Sequence, residues 1–437
     1  MWLRRLLGKR RALTWLVPGL GVKRWLALFL AGVVFLGLGL AYLLRDIYEF
    51  WTFPPIVYYL TLQFIPRWGR AVLFGVGGIS LVVWSLVQLN RSILSAFVRP
   101  GRDHVAERLL QHRLRERGPR VVAIGGGTGL STLLRGLKQH TSNITAIVTV
   151  ADDGGSSGRL RQGLGVLPPG DFRNCIAALA EAEPLTTQLF QYRFGEDSEL
   201  NGHSFGNLFI AAMAEVTGSF ERALLESSRV LSVRGRILPS TLENVTLCAD
   251  LREAAGPEAH LRRVAGESRI PEQRRPIERV FLEPEGVRAY PGAVKAILEA
   301  DLIAVGPGSL YTSILPNLLV EDIARALRAS RAMKVYICNV ATQPGETDRF
   351  TVYDHVQVLE DHMGRGIFSH VLANDNLSFA LPAYTQSEPV ALTEMGAGRY
   401  RLVTADVVDP RNPWRHDAER LAETLMALYA EWKASPA

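Results

Sequence analysis

A short apolar run that leads directly into a glycine-rich loop most constrains how this chain folds. Residues 121–124 are apolar, three consecutive glycines follow, and leucines then recur at helical spacing from Leu130 to Leu137. This pattern predicts a strand, a tight loop and a helix. Glycine permits positive φ angles and lets backbone N–H groups approach an anion, and the positive end of the following helix points to the same place. The sequence therefore predicts a phosphate site, with a plain strand-to-helix turn as the alternative. Its residues are Gly125, Gly126, Gly127, Thr128 and Gly129.

The positive charge of the chain is confined to its first part. The formal net charge of the whole chain is +6, but residues 1–120 hold 18 Lys+Arg against 5 Asp+Glu, while residues 121–437 hold 31 against 38. A basic segment beside uncharged apolar runs is typical of membrane topology rather than of a nucleic-acid-binding face. We therefore expect a lipid bilayer, and no nucleic acid, as a partner.

Two uncharged apolar runs each have the length needed to cross a bilayer. They cover about residues 25–44 and 71–90, and about 20 apolar residues span the hydrocarbon core. Seven Lys and Arg precede the first run, three lie between the runs, and eight follow the second. Because Lys and Arg concentrate on the cytoplasmic side, we predict a multi-pass protein of the cell (inner) membrane with a cytoplasmic C-terminal domain. The predicted units are a membrane anchor with a basic linker, residues 1–118, and a domain at residues 119–437.

The segment between the two runs leaves an alternative open. Residues 50–66 are uncharged, and a third span there would place the domain outside the cell. Two prolines and many aromatic residues favour an interfacial or re-entrant piece instead. Residues 102–117 alternate basic and apolar positions, which predicts an amphipathic helix near anionic lipid or a solvated linker helix.

From residue 120 onward, short apolar runs alternate with helical patterns. This alternation predicts an α/β fold with a mostly parallel sheet covered by helices on both faces. We expect a hairpin excursion in the polar segment 253–279 and an amphipathic helix at 418–433. The predicted strands are 121–124, 144–150, the neighbourhood of Ile237, 245–248, 280–282, 302–305, 335–338, 370–372 and 401–407.

Acidic, hydroxyl and basic residues follow the apolar run at 144–150. Ligands of open α/β sheets bind at the carboxyl ends of strands, so this group is suited to a ribose, a divalent cation or a phosphate. We expect a flexible Gly/Ser turn here, and an ordinary Asx-turn is the alternative. The two aspartates are the candidate metal ligands. The predicted binding residues are Asp152, Asp153, Gly154, Ser156, Ser157 and Arg159.

Two further polar segments each precede an apolar helical pattern. In the first, Asp171 is the predicted N-cap of a helix, and side chains of the first turn can reach a ligand at the mouth of the sheet. A surface ion pair is the alternative for Arg173. The second segment precedes an apolar helix at 208–216. The candidate binding residues of the two segments are Asp171, Arg173, Asn174, His203, Ser204 and Asn207.

A second glycine-rich loop follows the apolar run at 302–305. It is suited to a second anion or to the other phosphate of a diphosphate, and its candidate residues are Gly308, Ser309 and Tyr311. No lysine follows the first glycine loop as a Walker motif requires, which argues against NTP hydrolysis by that route. The sequence also predicts no Ser/His/Asp or Cys/His nucleophile set. Cys175, Cys248 and Cys338 are widely spaced, which indicates buried thiols in a reducing compartment.

Six segments in order resemble the motif series of the CofD-like superfamily, and most closely its YvcK-type gluconeogenesis factor branch. The resemblance covers roughly residues 120–435. The segments are Gly-Gly-Gly-Thr-Gly at 125–129, Asp-Asp-Gly-Gly-Ser-Ser-Gly at 152–158, Pro-Gly-Asp-Phe-Arg at 169–173, Gly-His-Ser-Phe-Gly-Asn at 202–207, Gly-Pro-Gly-Ser-Leu-Tyr-Thr-Ser at 306–313 and Cys-Asn-Val-Ala-Thr-Gln-Pro-Gly-Glu-Thr at 338–347.

The resemblance implies a modified Rossmann-like domain that binds a nucleotide diphosphate. It implies that the glycine loop and Ser309 hold the diphosphate, that Asp152 and Asp153 meet Mg²⁺ or a ribose, and that Tyr311 contacts the base or sugar. The plain cytosolic form of the family lacks the predicted membrane hairpin.

Three functions are open at this point. The resemblance favours a membrane-anchored regulator that binds a UDP-sugar such as UDP-N-acetylglucosamine, is needed for cell shape and envelope synthesis during gluconeogenic growth, and has a protein partner in cell-wall synthesis. The second is a transferase that moves 2-phospho-L-lactate from a guanosine diphosphate carrier to a deazaflavin acceptor with Mg²⁺. The third is a Rossmann oxidoreductase, because Asp152 lies 25 residues after Gly127, where a ribose-binding acid is expected at about 20. Whether the chain forms a homodimer is also open.

Overall fold

The computed structural model describes residues 54–97 except 61 and 63, short stretches between 29 and 47, and residues 114–435 except 182–183, 196–197, 254–259 and 394–399. The chain divides into two compact units, Met1–Leu114 and Arg115–Ala437. This division lies close to the boundary that the sequence predicts.

The described part of the first unit contains one long apolar helix. The helices whose bounds are defined there are α1, Pro55–Leu60, and α2, Arg67–Phe97. The 22 residues Arg67–Gln88 are long and apolar enough to cross a membrane, and they are the one such helix in the described part of the chain. This helix coincides with the predicted second span.

The other predictions for this unit fall largely on residues outside the described ones. In the predicted span at 25–44, residues 31–37 and 39–41 are described and are helical. In the segment 50–66, the described helix α1 has six residues and is too short to cross a bilayer. Most of the predicted linker helix at 102–117 also lies outside the described residues.

The second unit is built on a seven-stranded, fully parallel sheet in the order β3-β2-β1-β7-β8-β9-β10. This confirms the predicted α/β fold. The strands of the unit are β1 Val121–Gly125, β2 Ile144–Val148, β3 Arg236–Pro239, β4 Thr246–Arg252, β5 Leu261–Ala265, β6 Ile277–Glu283, β7 Leu302–Val305, β8 Met333–Ile337, β9 His370–Asn374, β10 Arg401–Ala405, β11 Val408–Asp409 and β12 Asn412–His416.

Continuous apolar runs explain why the central strands are buried. All residues of β1, β2, β7 and β9 are buried, although successive side chains of a strand point to opposite faces. Both faces of the sheet must therefore be covered, as is typical of parallel sheets. The edge strand β10 is partly exposed.

Helices supply that cover. Helix α3 packs between α5 and α14, and α10 packs against α12. The helices of the second unit are α3 Gly127–Leu137, α4 Gly155–Leu164, α5 Gly170–Leu179, α6 Pro184–Gln191, α7 Phe205–Thr217, α8 Phe220–Val230, α9 Arg269–Glu272, α10 Pro291–Glu299, α11 Leu315–Leu318, α12 Glu321–Ala329, α13 Val352–Met363 and α14 Ala418–Ala434. A π-helical turn, Leu310–Ile314, precedes α11.

Two predicted strands do not belong to the main sheet. The segments 245–248 and 280–282 lie in β4 and β6, which form a separate antiparallel sheet in the order β5-β4-β6. Strand β5 is exposed except at Val264, and it falls within the polar segment expected to form a hairpin. Its single inward position gave too weak an alternation for the sequence to show it as a strand.

The strand order reverses between β1 and β7. Successive strands from β1 run to one side through β2 and β3, whereas β7 and later strands run to the other. The connections that leave the carboxyl ends of β1 and β7 therefore diverge and leave a crevice between them, which is where open α/β sheets bind ligands.

Close packing of α3 on α14 makes Gly136 sensitive to a single added methyl group. A Cβ at Gly136 would collide with the backbone carbonyl of Ala418. We expect Gly136→Ala to lower the free energy of unfolding by about 1–3 kcal/mol, because overpacking outweighs the gain in helix propensity. Denaturant unfolding of the full-length chain, followed by circular dichroism, measures the change. The control is Gly163→Ala in α4, where no atom lies within 4 Å of the new Cβ, and equal midpoints for the two variants would contradict the expectation.

Candidate functional site

A cavity of about 440 Å³ opens where β1 and β7 end. The first glycine loop forms one wall, and Gly308 and Ser309 of the second loop face it. Residues 339–343 and 414–416 contribute the remaining sides. The cavity therefore lies at the crevice that the strand order creates.

The backbone of the first glycine loop has the geometry that the sequence predicts. Gly127 has φ +62°, a conformation that favours glycine, and Gly126 is fully extended at φ −164°. A Cβ at Gly129 would collide with the carbonyl of Pro307 in the second loop. Gly126 is the N-cap of α3 and, being glycine, has no side chain that could cap the helix. The first N–H groups of a helix have no intrahelical acceptor. Apart from the N–H of Gly127, which interacts with Asp171, the start of α3 thus presents backbone donors to the cavity at Thr128 and Gly129.

Asp171 is not the N-cap of its own helix, so that prediction was wrong. Helix α5 begins at Gly170, with Pro169 as its N-cap, and places Asp171 in the first turn. Its carboxylate instead accepts a hydrogen bond from the N–H of Gly127. Burial, and then the nearby charge of Asp152, raise the pKa of Asp171 to about 7. The carboxylate of Asp171 therefore helps to hold the backbone of the glycine loop in place.

The two adjacent aspartates point to different places. Asp152 lines the cavity and accepts a hydrogen bond of 2.9 Å from the N–H of Gly154. Burial raises its pKa. Asp153 accepts a hydrogen bond of 2.9 Å from the N–H of Ser268 and does not line the cavity. The structure therefore does not bring the predicted pair of metal ligands to one point.

The expected flexible turn after Asp153 is helical. Helix α4 begins at Gly155, so Ser156, Ser157 and Arg159 lie in its first turns. Ser157 accepts a hydrogen bond of 3.1 Å from the N–H of Gly170 and thereby joins α4 to α5. The glycines allow a tight entry into the helix rather than a mobile loop.

Sequence reasoning missed Glu267, which lines the cavity together with Asp152 and Asp171. Burial, and then the charges of Asp152 and Asp171, raise the pKa of Glu267 to about 8. The residue follows β5 in the separate sheet, and the bond between Ser268 and Asp153 holds its loop against α4. No local signal in the sequence marks it.

Carboxylate oxygens are metal ligands that suit Mg²⁺. Among the residues that the structure describes, no group of three or more His, Cys, Asp or Glu converges closely enough to hold a metal by itself. Mg²⁺ is usually held by one or two carboxylates together with substrate phosphates and waters. One or two of the carboxylates of Asp152, Asp171 and Glu267 would fit that second arrangement, in which a phosphorylated ligand supplies the remaining oxygens.

A hydrogen-bonded network fixes the second glycine loop. The N–H of Gly308 donates to Oδ1 of Asn339 at 3.2 Å, and Nδ2 of Asn339 donates to the Gly308 carbonyl at 2.9 Å. Gln343 donates through Nε2 to Oγ of Ser309 at 2.7 Å. Ser309 can therefore donate its own proton toward the cavity. Asn339 and Gln343 belong to the resembling segment 338–347, but the sequence did not predict them as site residues.

Tyr311 is a core residue, which corrects its predicted contact with a base or sugar. Its side chain is 2% exposed and makes edge contacts with the rings of Phe350 and His362. Burial raises the pKa of its hydroxyl. The π-helical turn directs the residue inward, and sequence spacing did not reveal that turn.

The segment after β11 brings an aromatic ring and a cation to the cavity. Trp414 and the exposed Arg415 line it, and Trp414 makes an edge contact with Tyr384, which is 77% exposed. His416 donates through Nε2 to the carbonyl of Cys338 at 3.1 Å, and burial lowers its pKa to about 4. His416 is therefore neutral and structural. The sequence predicted none of these residues.

The other predicted residues form a second polar cluster around the start of α7, outside the cavity wall. Ser204 is the N-cap of α7, and Arg173 donates to its Oγ at 2.6 Å and to Oδ1 of Asn174 at 2.9 Å. Nδ1 of His203 lies 3.0 Å from Oγ of Ser156.

Ser156 also accepts a hydrogen bond of 3.1 Å from Nδ2 of Asn207. The structure thus brings together a Ser–His pair that the sequence analysis did not predict. Because Ser156 is 4% exposed, its hydroxyl is inaccessible to a substrate. The group joins α4 to α7 and does not form a nucleophile set.

All three cysteines are buried thiols, as predicted. Burial raises the pKa of Cys248 to about 11 and that of Cys338 to about 12. A thiol with so high a pKa is a poor nucleophile at neutral pH. The cysteines therefore take no part in the site's chemistry.

Comparison with known proteins confirms the resemblance seen in the motifs. A sequence profile of the family described as 2-phospho-L-lactate transferase CofD matches residues 121–408. The gluconeogenesis factor of Bacillus subtilis is 48% identical over 320 residues, which cover 72% of this chain and 99% of that protein. A Nostoc sp. protein, provisionally named a gluconeogenesis factor, is 47% identical over 427 residues, which cover 95% of this chain and 92% of that protein.

A solved structure supports the same relationship. The crystal structure of a member of the UPF0052 family from Bacillus halodurans has a TM-score of 0.66 and 45% identity, and it covers 71% of this chain and 99% of its own. The Nostoc match extends further and includes part of the N-terminal unit.

The raised pKa of Glu267 predicts how stability depends on pH. The folded protein holds this proton up to about pH 8, whereas the unfolded chain releases it near pH 4.3. The contribution of Glu267 to the free energy of unfolding is fully present below the pKa of the unfolded chain. It is lost as the pH rises toward the pKa of Glu267 in the folded protein. We expect Glu267→Gln to be more stable than the wild type in metal-free buffer, by a margin that grows between about pH 5 and pH 8.

Denaturant unfolding of the full-length chain across this pH range measures the margin. The matched control is Glu272→Gln, which changes an exposed carboxylate five residues away and is expected to give no pH-dependent margin. A margin for Glu267→Gln that stays constant with pH would contradict the assignment.

Proposed function

Because the chain belongs to the CofD family and to its gluconeogenesis factor branch, we propose that its cavity binds a nucleoside diphosphate sugar, most specifically a UDP-sugar. In this proposal the protein is a regulator rather than a catalyst, and it acts in cell shape and envelope synthesis during gluconeogenic growth. The observation that carries the proposal is the meeting of two glycine loops at the point where the strand order reverses.

The diphosphate is assigned to the space between the two loops. The N–H groups of Thr128 and Gly129 at the start of α3 are assigned to one phosphate, and the Ser309 hydroxyl is assigned to the other. Asn339 holds the backbone of Gly308 in place beside them. Backbone donors at a helix start and in a glycine-rich loop are the usual ligands of phosphate oxygens. Arg415 adds a positive charge at the cavity wall.

The base or the sugar is assigned to the aromatic side of the cavity. Trp414 is partly exposed to the cavity, and Tyr384 beside it is largely exposed. Flat aromatic faces of this kind stack on nucleobases and on sugar rings. These two residues replace Tyr311 in the role that the resemblance first implied.

The charge of the cavity supports Mg²⁺ as part of the complex. A diphosphate would enter beside Asp152, Asp171 and Glu267, and Arg415 is the one arginine among the described residues of the lining. Asp171 and Glu267 hold protons up to about pH 7 and pH 8, so like charges meet as the pH rises through those values, which is unfavourable in a partly buried site. A Mg²⁺ ion held by one or two of these carboxylates and by the phosphates would neutralise the repulsion, and the ion would polarise the phosphate oxygens.

The transferase is the second candidate, favoured by the match to the family described as 2-phospho-L-lactate transferase CofD. Such a reaction takes its nucleophile from the acceptor and requires none from the protein. The two candidates differ in the base that is recognised, uracil in one and guanine in the other, and in the need for an acceptor.

A calorimetric titration of the full-length chain distinguishes the candidates. We expect saturable heat with UDP-N-acetylglucosamine, stronger in the presence of Mg²⁺, and little heat with GDP. Heat with GDP and none with the UDP-sugar would favour the transferase, and turnover with a deazaflavin acceptor would then establish it. No heat with either nucleotide would refute the proposed site.

Variants connect the heat to the site. We expect Gly127→Val to abolish binding, because the side chain is strained at φ +62° and stands where the backbone meets the phosphate. The matched control is Gly155→Val, which also has a positive φ at a helix start but does not line the cavity.

Asp152→Asn should weaken the Mg²⁺ dependence of binding while keeping the shape of the side chain. An unchanged metal dependence in this variant would assign Mg²⁺ to other carboxylates.

We further propose that the N-terminal unit anchors the domain to the cytoplasmic face of the cell membrane. The long apolar helix α2 and the excess of Lys and Arg in residues 1–120 support this location. We expect the full-length chain to stay with the membrane fraction after an alkaline wash, and a variant without residues 1–114 to be released. Release of the full-length chain by high salt alone would contradict an integral anchor.

A further inference from the structure

A group of cations beside the cavity takes no part in the proposed nucleotide site. Arg159, Arg173 and Arg193 contact three residues of the segment 201–204, which directly precedes α7 and also contains His203. These three arginines and His203 are here called the arginine cluster. Arg159 donates to the carbonyl of Asn201 at 2.7 Å, and Arg193 donates to the carbonyl of Gly202 at 2.6 Å. Arg173 donates to Oγ of Ser204 at 2.6 Å, and His203 lies between these anchor points.

The cluster holds like charges close together. The pKa of Arg173 is lowered by burial and then by the charge of Arg193, and that of His203 is lowered by burial and then by Arg159 and Arg193. Among the described residues, no ion pair joins any of the three arginines to a carboxylate. Structural bonds to two carbonyls and a hydroxyl do not require three positive charges. The charges of Asp171 and Asp152 partly compensate that of Arg173, whereas the described residues give Arg159 and Arg193 no carboxylate partner within ion-pair distance.

Several donors of the cluster remain available. A guanidinium carries five N–H donors, and the protein contacts found for Arg159 and Arg193 each use one terminal nitrogen, while both side chains are exposed. Nε of Arg173 is buried and has no hydrogen-bond partner, so the donors open to a ligand from solvent are those of Arg159 and Arg193. The N-terminus of α7 adds its own positive potential at Ser204. Such donors match the three oxygens of a phosphate.

We propose that the arginine cluster binds the dianion of a phosphate monoester, as a second ligand beside the nucleotide cavity. Its place in the fold would couple the two sites. Arg173 and Asp171 share the first turn of α5, and Asp171 supports the glycine loop through the N–H of Gly127. The proposal goes beyond nucleotide binding and does not depend on it.

Site-resolved arginine modification tests the proposal. The full-length chain is labelled with p-hydroxyphenylglyoxal, and modified peptides are quantified by mass spectrometry, in inorganic phosphate and in chloride of equal ionic strength. We expect phosphate at ten times its dissociation constant to slow the labelling of Arg159 and Arg193 about tenfold. The exposed Arg222 of α8 is the internal control and should label at the same rate in both buffers.

Two outcomes would overturn the proposal. Equal labelling in phosphate and chloride would show that the cluster binds no phosphate. Protection of Arg159 and Arg193 by UDP, at a concentration that saturates the cavity, would make the cluster a part of the nucleotide site. Because the phosphate measurement needs no nucleotide, failure of UDP-sugar binding would leave it intact.

A charge-removing variant provides an independent check. We expect Arg193→Ala to remove most of the phosphate protection at Arg159 and to leave the heat of UDP-sugar binding unchanged, since Arg193 does not line the cavity. The conservative variant Arg193→Lys should retain part of the protection. Full protection of Arg159 in Arg193→Ala would contradict a shared site.

Discussion

The packing of two backbone loops against each other at the reversal of strand order underlies the whole site. Gly129 approaches the Pro307 carbonyl so closely that no side chain fits between them. Asn317, fully buried, donates to the carbonyl of Gly125 at 3.0 Å and to that of Ser313 at 2.8 Å, and so joins the end of β1 to the π-helical turn. These contacts fix the relative position of the two predicted phosphate-binding loops.

Charge separates the space around these loops into two regions. Asp152, Asp171 and Glu267 make the cavity acidic, and burial raises the pKa of each of these carboxyl groups. Arg159, Arg173 and Arg193 make the neighbouring region basic. Buried carboxylates with raised pKa values are typical of functional sites, because a structural role alone gives no reason to keep them together. The acidic region suits a metal–diphosphate complex, and the basic one suits a bare anion.

Much of the fold was predictable because apolar runs and glycine loops are local signals. Seven of the nine predicted strands lie in the parallel sheet, since fully buried parallel strands read as continuous apolar runs. The site was predictable where a residue follows such a strand directly, as Gly127 and Asp152 do, and at Asp171, which lies in the first turn of a helix. Asp153 follows the same strand, yet its carboxylate turns to the backbone of Ser268. Adjacency in the sequence therefore did not mean that Asp152 and Asp153 bind the same metal ion.

The sequence by itself determined the strand-loop-helix units, the burial of the cysteines and the family, because each rests on residues within a few positions of one another or on their order along the chain. The tertiary structure decided which side chains reach the cavity. Glu267 and Trp414 arrive from β-structure outside the main sheet, and Tyr311 is withdrawn into the core by a π-helical turn. These placements depend on how distant segments pack, and the free energy of packing is a property of the contacts formed, which no local pattern records.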